Sequence, residues 1–301
     1  MVRTAFLLGI SLTAVVASQQ VFRTGTDAVS VTVTVLDGRK PVTGLAKEQF
    51  RVFDDGVAQQ VVSVGVETRP LEILLLLDES ASAFRRPLGT YYQFRERGIQ
   101  TWLADTKSAT VRALDSLDRL RTFRFSTTLA EELPDTAPKA SREDLAAARK
   151  DRTALLDVIA EVFMMPPAID RRRVVVVVSD GRDSSSVLDD GTLLTIADRS
   201  DATCFLIAVG GRTSGLIPDD LFWIDGYEGL LGFLTTRSGG RMFKVRPDTR
   251  VRDVLQTLLS DLRTQYSLAY VPTSSRPGWH DVDVTIPGRK YDIRAKRGYW
   301  R

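Results

Sequence analysis

Two apolar runs dictate the fold class of this chain. Leu71–Leu77 is almost entirely aliphatic and stops at Asp78, and Val174–Val178 is five valines stopping at Ser179-Asp180-Gly181. An apolar run without alternation and with a sharp polar stop suits a strand buried on both faces of a parallel sheet. Around these runs the pattern alternates between strand and helix. Leu120–Ser126 reads as a strand, with Thr128–Leu133 as its pairing partner. Ser141–Arg149 and Ala154–Phe163 read as helices, as do Leu193–Arg199, Leu230–Arg237 and Val251–Arg263. Thr203–Val209 and Met242–Val245 are further strands. Residues 87–117 are helical in character without clear boundaries. Alternation of this kind predicts an α/β domain over residues 70–264, with a Rossmann-like, doubly wound, mainly parallel sheet.

The flanks have a different grammar. Val29–Val35 alternates strictly, Phe50–Phe53 and Val61–Val66 are short strands, and Asp37-Gly38 and Asp54-Asp55-Gly56 make turns between them. After the last helix, Tyr266–Val271, His280–Ile286 and Tyr291–Arg297 are strands again. Three strands before and three after are too few for two sandwiches. The expectation is that 28–67 and 265–301 pack together as one small β-sandwich with the α/β domain inserted.

Residues 1–18 read as a secretory signal peptide. Arg3 is the positive end, Ala5–Ala17 the short apolar stretch, and Val15/Ala17 or Val16/Ser18 the small residues for cleavage. The expected destination is the periplasm, the cell surface or the medium, with no stable membrane span once the signal is removed. Cys204, the single cysteine, sits in an apolar run and reads as a buried small hydrophobe. The net charge of +3 is spread over interspersed residues. The densest basic run, Arg171–Arg173, reads as a solvated strand entry rather than a nucleic-acid patch.

The chemistry gathers at the carboxyl ends of the two apolar strands, where ligands bind in open α/β sheets. Asp78, Ser80 and Ser82 form Asp-x-Ser-x-Ser. A carboxylate with neutral hydroxyls suits a hard cation such as Mg²⁺, which takes about six oxygens. Thr153 alone would be a helix N-cap, and Asp180 alone a turn former before glycine. In order, however, Asp78-x-Ser80-x-Ser82, then Thr153, then Asp180 at a strand end closely resembles the metal-ion-dependent adhesion site of the von Willebrand factor A-type family. Thr153–Asp157 and Ser179–Ser184 are similar to that family's threonine and second aspartate loops. Val31–Val35, Gly44-Leu45, Phe50–Gly56 and Arg297–Trp300 resemble its bacterial secreted subgroup. The sequence departs at Ala81, where glycine is more usual, and at Phe84, where methionine is common.

That resemblance implies a site of Asp78, Ser80, Ser82, Thr153 and Asp180 holding Mg²⁺ (or Mn²⁺ or Ca²⁺). It also implies an open coordination position for an Asp or Glu carboxylate of a protein partner. The chain is thus expected to be a secreted, cation-dependent binding or adhesion module. The alternative is a structural or assembly protein of the cell envelope whose metal site serves stability or is unused. Enzyme readings fit poorly. A haloacid dehalogenase-type phosphotransferase needs a second carboxylate where Ser80 stands. A subtilisin-type protease needs a histidine on a later helix, and the only histidine, His280, lies in the C-terminal β segment, where it reads as an exposed strand or turn residue. Neither a P-loop nor a dinucleotide-binding glycine motif occurs.

Overall fold

The computed structural model describes residues 28–78, 80, 106–126, 131–132, 152–208, 227–245 and 251–301. The proposed signal peptide, the helix expected at Ser141–Arg149 and Ser82 lie outside these residues. The central sheet has six strands: β6 (Leu71–Asp78), β7 (Arg119–Phe125), β8 (Glu131–Glu132), β9 (Arg172–Ser179), β10 (Thr203–Ala208) and β11 (Met242–Lys244), in the spatial order β11-β10-β9-β6-β7-β8. All neighbours are parallel except the β7–β8 pair at one edge. The α/β class with a mainly parallel sheet therefore follows the apolar runs.

Both faces of the sheet are covered, which is why β6 and β9 carry no alternation. Leu74, Leu76, Val175 and Val177 pack against α1 (Leu155–Met164), α2 (Asp190–Arg199) and α3 (Tyr227–Arg237). Ile73, Leu75, Val174 and Val176 pack against α4 (Val251–Arg263) through Val254, Leu255, Leu258 and Leu262. Cys204 lies on the first of these faces, 1% exposed, and burial pushes its thiol up to about 12; it is packing, not chemistry.

Buried ion pairs close the amino end of the sheet. Arg172 and Arg173 are 9% and 8% exposed, so the basic run is not a solvated strand entry. Arg173 donates to Glu72 at 2.7 and 3.0 Å, and the two residues face each other across β6 and β9. Arg172 donates to the Leu262 carbonyl at 2.9 Å and to the Gln265 side chain. A central strand leaves no solvated side, so charges at its entrance persist only when paired.

The flanking segments interleave. One sheet runs β14-β1-β12-β5 with β2 beside β1, and a second runs β15-β13-β3-β4. Here β1 is Val29–Asp37, β2 Lys40–Pro41, β3 Arg51–Asp54, β4 Val57–Gln59, β5 Val61–Val66, β12 Tyr266–Tyr270, β13 Trp279–Thr285, β14 Asp292–Ala295 and β15 Gly298–Trp300. Each sheet takes strands from both ends of the chain, and the two share one core of Val31, Val33, Phe50, Val52, Leu268, Tyr270, Val282 and Val284. The expected three strands before and three after become five and four, because β2, β4 and β15 are two or three residues long and carry no periodic signal. The α/β stretch leaves and re-enters at one point: Val66 faces Tyr266, and the Glu67 amide donates to the Gln265 carbonyl at 2.9 Å.

One close approach tests the packing of β10. A Cβ on Gly240 would lie 1.9 Å from the Cys204 carbonyl oxygen, a backbone atom that cannot swing away. Gly240→Ala should therefore cost about 1–3 kcal/mol, as overpacking does, measured as a drop in urea midpoint at unchanged slope.

Candidate metal centre

The sheet order creates the crevice. From β6 the chain goes first to β7 on one side and later to β9 on the other, so the winding reverses between β6 and β9. At such a switch point the loops leaving the two strands diverge and open a cleft at their carboxyl ends. Asp78 ends β6 and Ser179 ends β9.

Asp78 is 1% exposed. Its Oδ1 accepts from the Ser80 amide at 2.9 Å and its Oδ2 from the Ser179 hydroxyl at 2.5 Å. These two bonds fix the carboxylate without satisfying its charge. Burial first, and then the negative charge of Asp180, push its carboxyl up to about 6. Ser80 is fully buried beside it. Asp180 lies one residue beyond β9, at the turn where Gly181 takes φ +77°. Its carboxylate accepts from the Arg182 amide at 3.1 Å.

Thr153, 1% exposed, reaches the same edge from a third segment. The following amide, of Ala154, donates to the carbonyl of Ser126, just past the end of β7, at 2.8 Å. Phe125 of β7 is level with Asp78 of β6, so Thr153 is held next to the Asp78 strand end. The Thr153 carbonyl accepts from the Ser184 and Ser185 amides at 2.9 and 3.0 Å, tying it to the loop after Asp180. The structure thus brings Asp78, Ser80, Thr153 and Asp180 to one edge; Ser82 lies outside the described residues. Two carboxylates with buried hydroxyls form a donor set that fits a hard divalent cation.

Three features escape a reading of the sequence. Ser179 holds the Asp78 carboxylate. The N-cap position of α1 is Ala154, with no side-chain cap, and its free amides are capped from the loop after β9: Asp183 accepts from the Leu156 amide at 2.9 Å and Ser186 from the Leu156 and Asp157 amides at 3.0 and 3.2 Å. The run Asp183-Ser184-Ser185-Ser186, dense in capping residues, was the available signal.

The third is His280, which is not exposed: it is 0% exposed within the flanking sheets. Its Nδ1 lies 3.1 Å from both Asp54 Oδ1 and Asp55 Oδ2, and its Nε2 lies 2.7 Å from the Arg276 carbonyl. Asp54, Asp55 and His280 could by composition hold a metal. The group is already served by protein donors, however. Tyr270 and Tyr299 donate to Asp54 at 2.9 and 2.8 Å, and Arg276 to Asp55 at 2.8 Å. A guanidinium on the carboxylate is the wrong neighbour for a cation, so the arrangement reads as a structural network.

No family model matches the chain, and no curated protein matches it. Solved structures do. Von Willebrand factor A domains are among them. Von Willebrand factor type A from Catenulispora acidiphila is 11% identical, over 91% of this chain and 72% of that one, with TM-score 0.45. An aerotolerance-related membrane protein from Bacteroides fragilis is 15% identical, over 64% and 98%, with TM-score 0.44. The VWA domain of SpRpn10 is 13% identical, over 62% and 94%, with TM-score 0.37. At such identities and scores these likenesses transfer no activity, and the site stands on its own geometry.

Proposed function

We propose that this chain is an exported, divalent-cation-dependent protein-binding module. Asp78, Ser80, Ser82, Thr153 and Asp180 would hold Mg²⁺, with Mn²⁺ or Ca²⁺ as substitutes. The supporting observation is the pair Asp78 and Asp180 at the switch point: a buried carboxylate that feels a second carboxylate more than any positive side chain. A cation there would offset that repulsion. When bound, the metal supplies a position for a carboxylate oxygen from a protein partner, because neutral hydroxyls leave its charge only partly neutralised. The protein's own residues set the shape around that position. Ser179 aims Asp78, and the Ser184 and Ser185 amides hold the Thr153 backbone.

In the same reading, residues 28–67 and 265–301 form a β-sandwich that carries the 70–264 domain as an insert and presents its site away from the sandwich. In this reading residues 1–18 act as a signal peptide and the module works outside the cytoplasm, where it would capture or adhere to a protein ligand.

Calorimetric titration of Mg²⁺ or Mn²⁺ into the purified chain tests the site. Binding by the wild type and none by Asp78→Ala is expected. Equal binding by both, or none by either, removes the metal reading. A pull-down from the native envelope with Mg²⁺ against EDTA then tests the partner, with Asp78→Ala required to lose whatever Mg²⁺ retains.

A further inference from the structure

Asp183 binds more of the surrounding loop than a helix cap requires. Its Oδ2 accepts from the Leu156 amide at 2.9 Å and from the Ser186 hydroxyl, and its Oδ1 from the Ser185 and Ser186 amides at 3.2 and 3.0 Å. Four donors on two oxygens fill the acceptor capacity of a carboxylate. Two neighbours extend the staple. The Ser184 hydroxyl accepts from the Thr153 amide at 2.9 Å, and the Asp157 carboxylate accepts from the Val187 and Leu188 amides at 2.9–3.1 Å. The result is a continuous seam between residues 153–157 and 183–188.

The seam, together with the Ser184 and Ser185 amides on the Thr153 carbonyl, joins two parts of the site. Thr153 and Asp180 belong to different segments, attached to the sheet by different strands: Thr153 to the end of β7 through Ala154, Asp180 to the end of β9. The sheet ladder fixes the ends of β7 and β9 on either side of β6, but Thr153 and Asp180 lie beyond those ends, and the ladder alone does not set the distance between them. The seam does set it, starting at Thr153 itself and at the third residue after Asp180.

We propose that Asp183 is the positioning residue of the cation site, holding the Thr153 hydroxyl and the Asp180 carboxylate at one spacing without touching the ion. This rests on the metal reading above. It predicts that the spacing, and with it the affinity, degrades when Asp183 loses acceptors while all five oxygen-bearing side chains remain. Asn at 183 keeps one oxygen and cannot accept all four donors. Groups that orient metal ligands in this way typically govern affinity by about 10–100-fold.

The experiment is Mg²⁺ calorimetry on wild type, Asp183→Asn, Ser184→Ala and Asp189→Asn, with melting of each in EDTA. Asp189 is the control. It caps α2 by accepting from the Thr192 amide at 2.7 Å, a similar bond with no link to Thr153 or Asp180. Asp183→Asn should lose about tenfold or more in affinity, Ser184→Ala somewhat less, and Asp189→Asn nothing, with Asp183→Asn and Asp189→Asn melting alike in EDTA. Asp183→Glu should recover part of the lost affinity. Wild-type affinity in both Asp183→Asn and Ser184→Ala overturns the proposal, as does an equal loss in Asp189→Asn. Should Asp183→Asn not fold, Ser184→Ala decides alone: weakened affinity supports the proposal and wild-type affinity overturns it. A wild type that binds no Mg²⁺ removes the metal reading itself, a result distinct from either.

Discussion

Asp78→Asn should abolish Mg²⁺ binding and, in the same protein, raise the stability of the metal-free form above pH 6. Both effects have one cause. The Asp78 carboxyl is buried and lies near Asp180, which together push it up to about 6 from an ordinary value of 3.8. A raised carboxyl means that the folded state keeps a proton that the unfolded chain gives up. Between pH 4 and 6 the contribution of Asp78 to the stability of the metal-free fold therefore falls as pH rises, by about 1.4 kcal/mol for each pH unit of difference, or about 3 kcal/mol in all. Asparagine carries no charge and can still accept from Ser179, so it escapes that cost. It cannot anchor a cation, and the loss of affinity should exceed the roughly 100-fold upper range of changes one shell further out. Urea midpoints from pH 4 to 8 in EDTA, with and without the substitution, check the first half, and calorimetry checks the second. A stability difference between Asp78→Asn and wild type that does not grow from pH 4 to 6 in EDTA would contradict the assignment. In the wild type, saturating Mg²⁺ should flatten the decline, because the cation favours the ionised form that the apo protein resists.

The parts of the fold that were legible in the sequence are those where one force acts alone. The middles of β6 and β9 are buried on both faces and are aliphatic throughout, and the polar stop marked the edge where Asp78 and Ser179 lie. The hidden parts are those where a polar group is buried by pairing. Arg172 and Arg173 look like a solvated patch until Glu72 is noticed in the same register of an otherwise apolar neighbour. His280 reads as exposed although its parity says otherwise. In β13 the buried positions are His280, Val282 and Val284, with Asp281 and Asp283 outward. Asp54 likewise shares the inward parity of Val52 in β3. Alternation tells which face these residues take; residue type, weighed on its own, points the other way. At the metal edge, motif order brought forward Thr153 and Asp180. The seam through Asp183 depends on loop hydrogen bonds that no period encodes.

The buried network around Asp54 should be the most sensitive point of the flanking sheets. Asp54→Ala should cost about 3–5 kcal/mol, the range found when one member of a buried charged group is removed and its partners stay. Three partners would be stranded. Tyr270, fully buried, and Tyr299 both donate their hydroxyls to Asp54 Oδ2, and His280 faces Oδ1. The His280 ring faces acceptors at both nitrogens: a carbonyl at Nε2 and two carboxylates at Nδ1. Removing Asp54 deletes the better buried of the two carboxylates that face Nδ1, because Asp55 is exposed and shared with Arg276. The location multiplies the effect. Asp54 comes from the N-terminal β segment, and its partners at 270, 280 and 299 come from the C-terminal one, so this network joins the two ends of the sequence across β3, β12, β13 and β15. Asp54→Asn, which keeps an acceptor for the tyrosines but no charge, should cost less than Asp54→Ala. Urea unfolding of both variants gives the comparison, and equal small costs would show that water replaces the carboxylate and that the sheets are held by their apolar core alone. Under the proposed metal reading, loosening of the flanking sheets should leave Mg²⁺ affinity unchanged, because Tyr270, His280 and Tyr299, the partners of Asp54, are not among the residues of the cation site. That separates this damage from any change at Asp78.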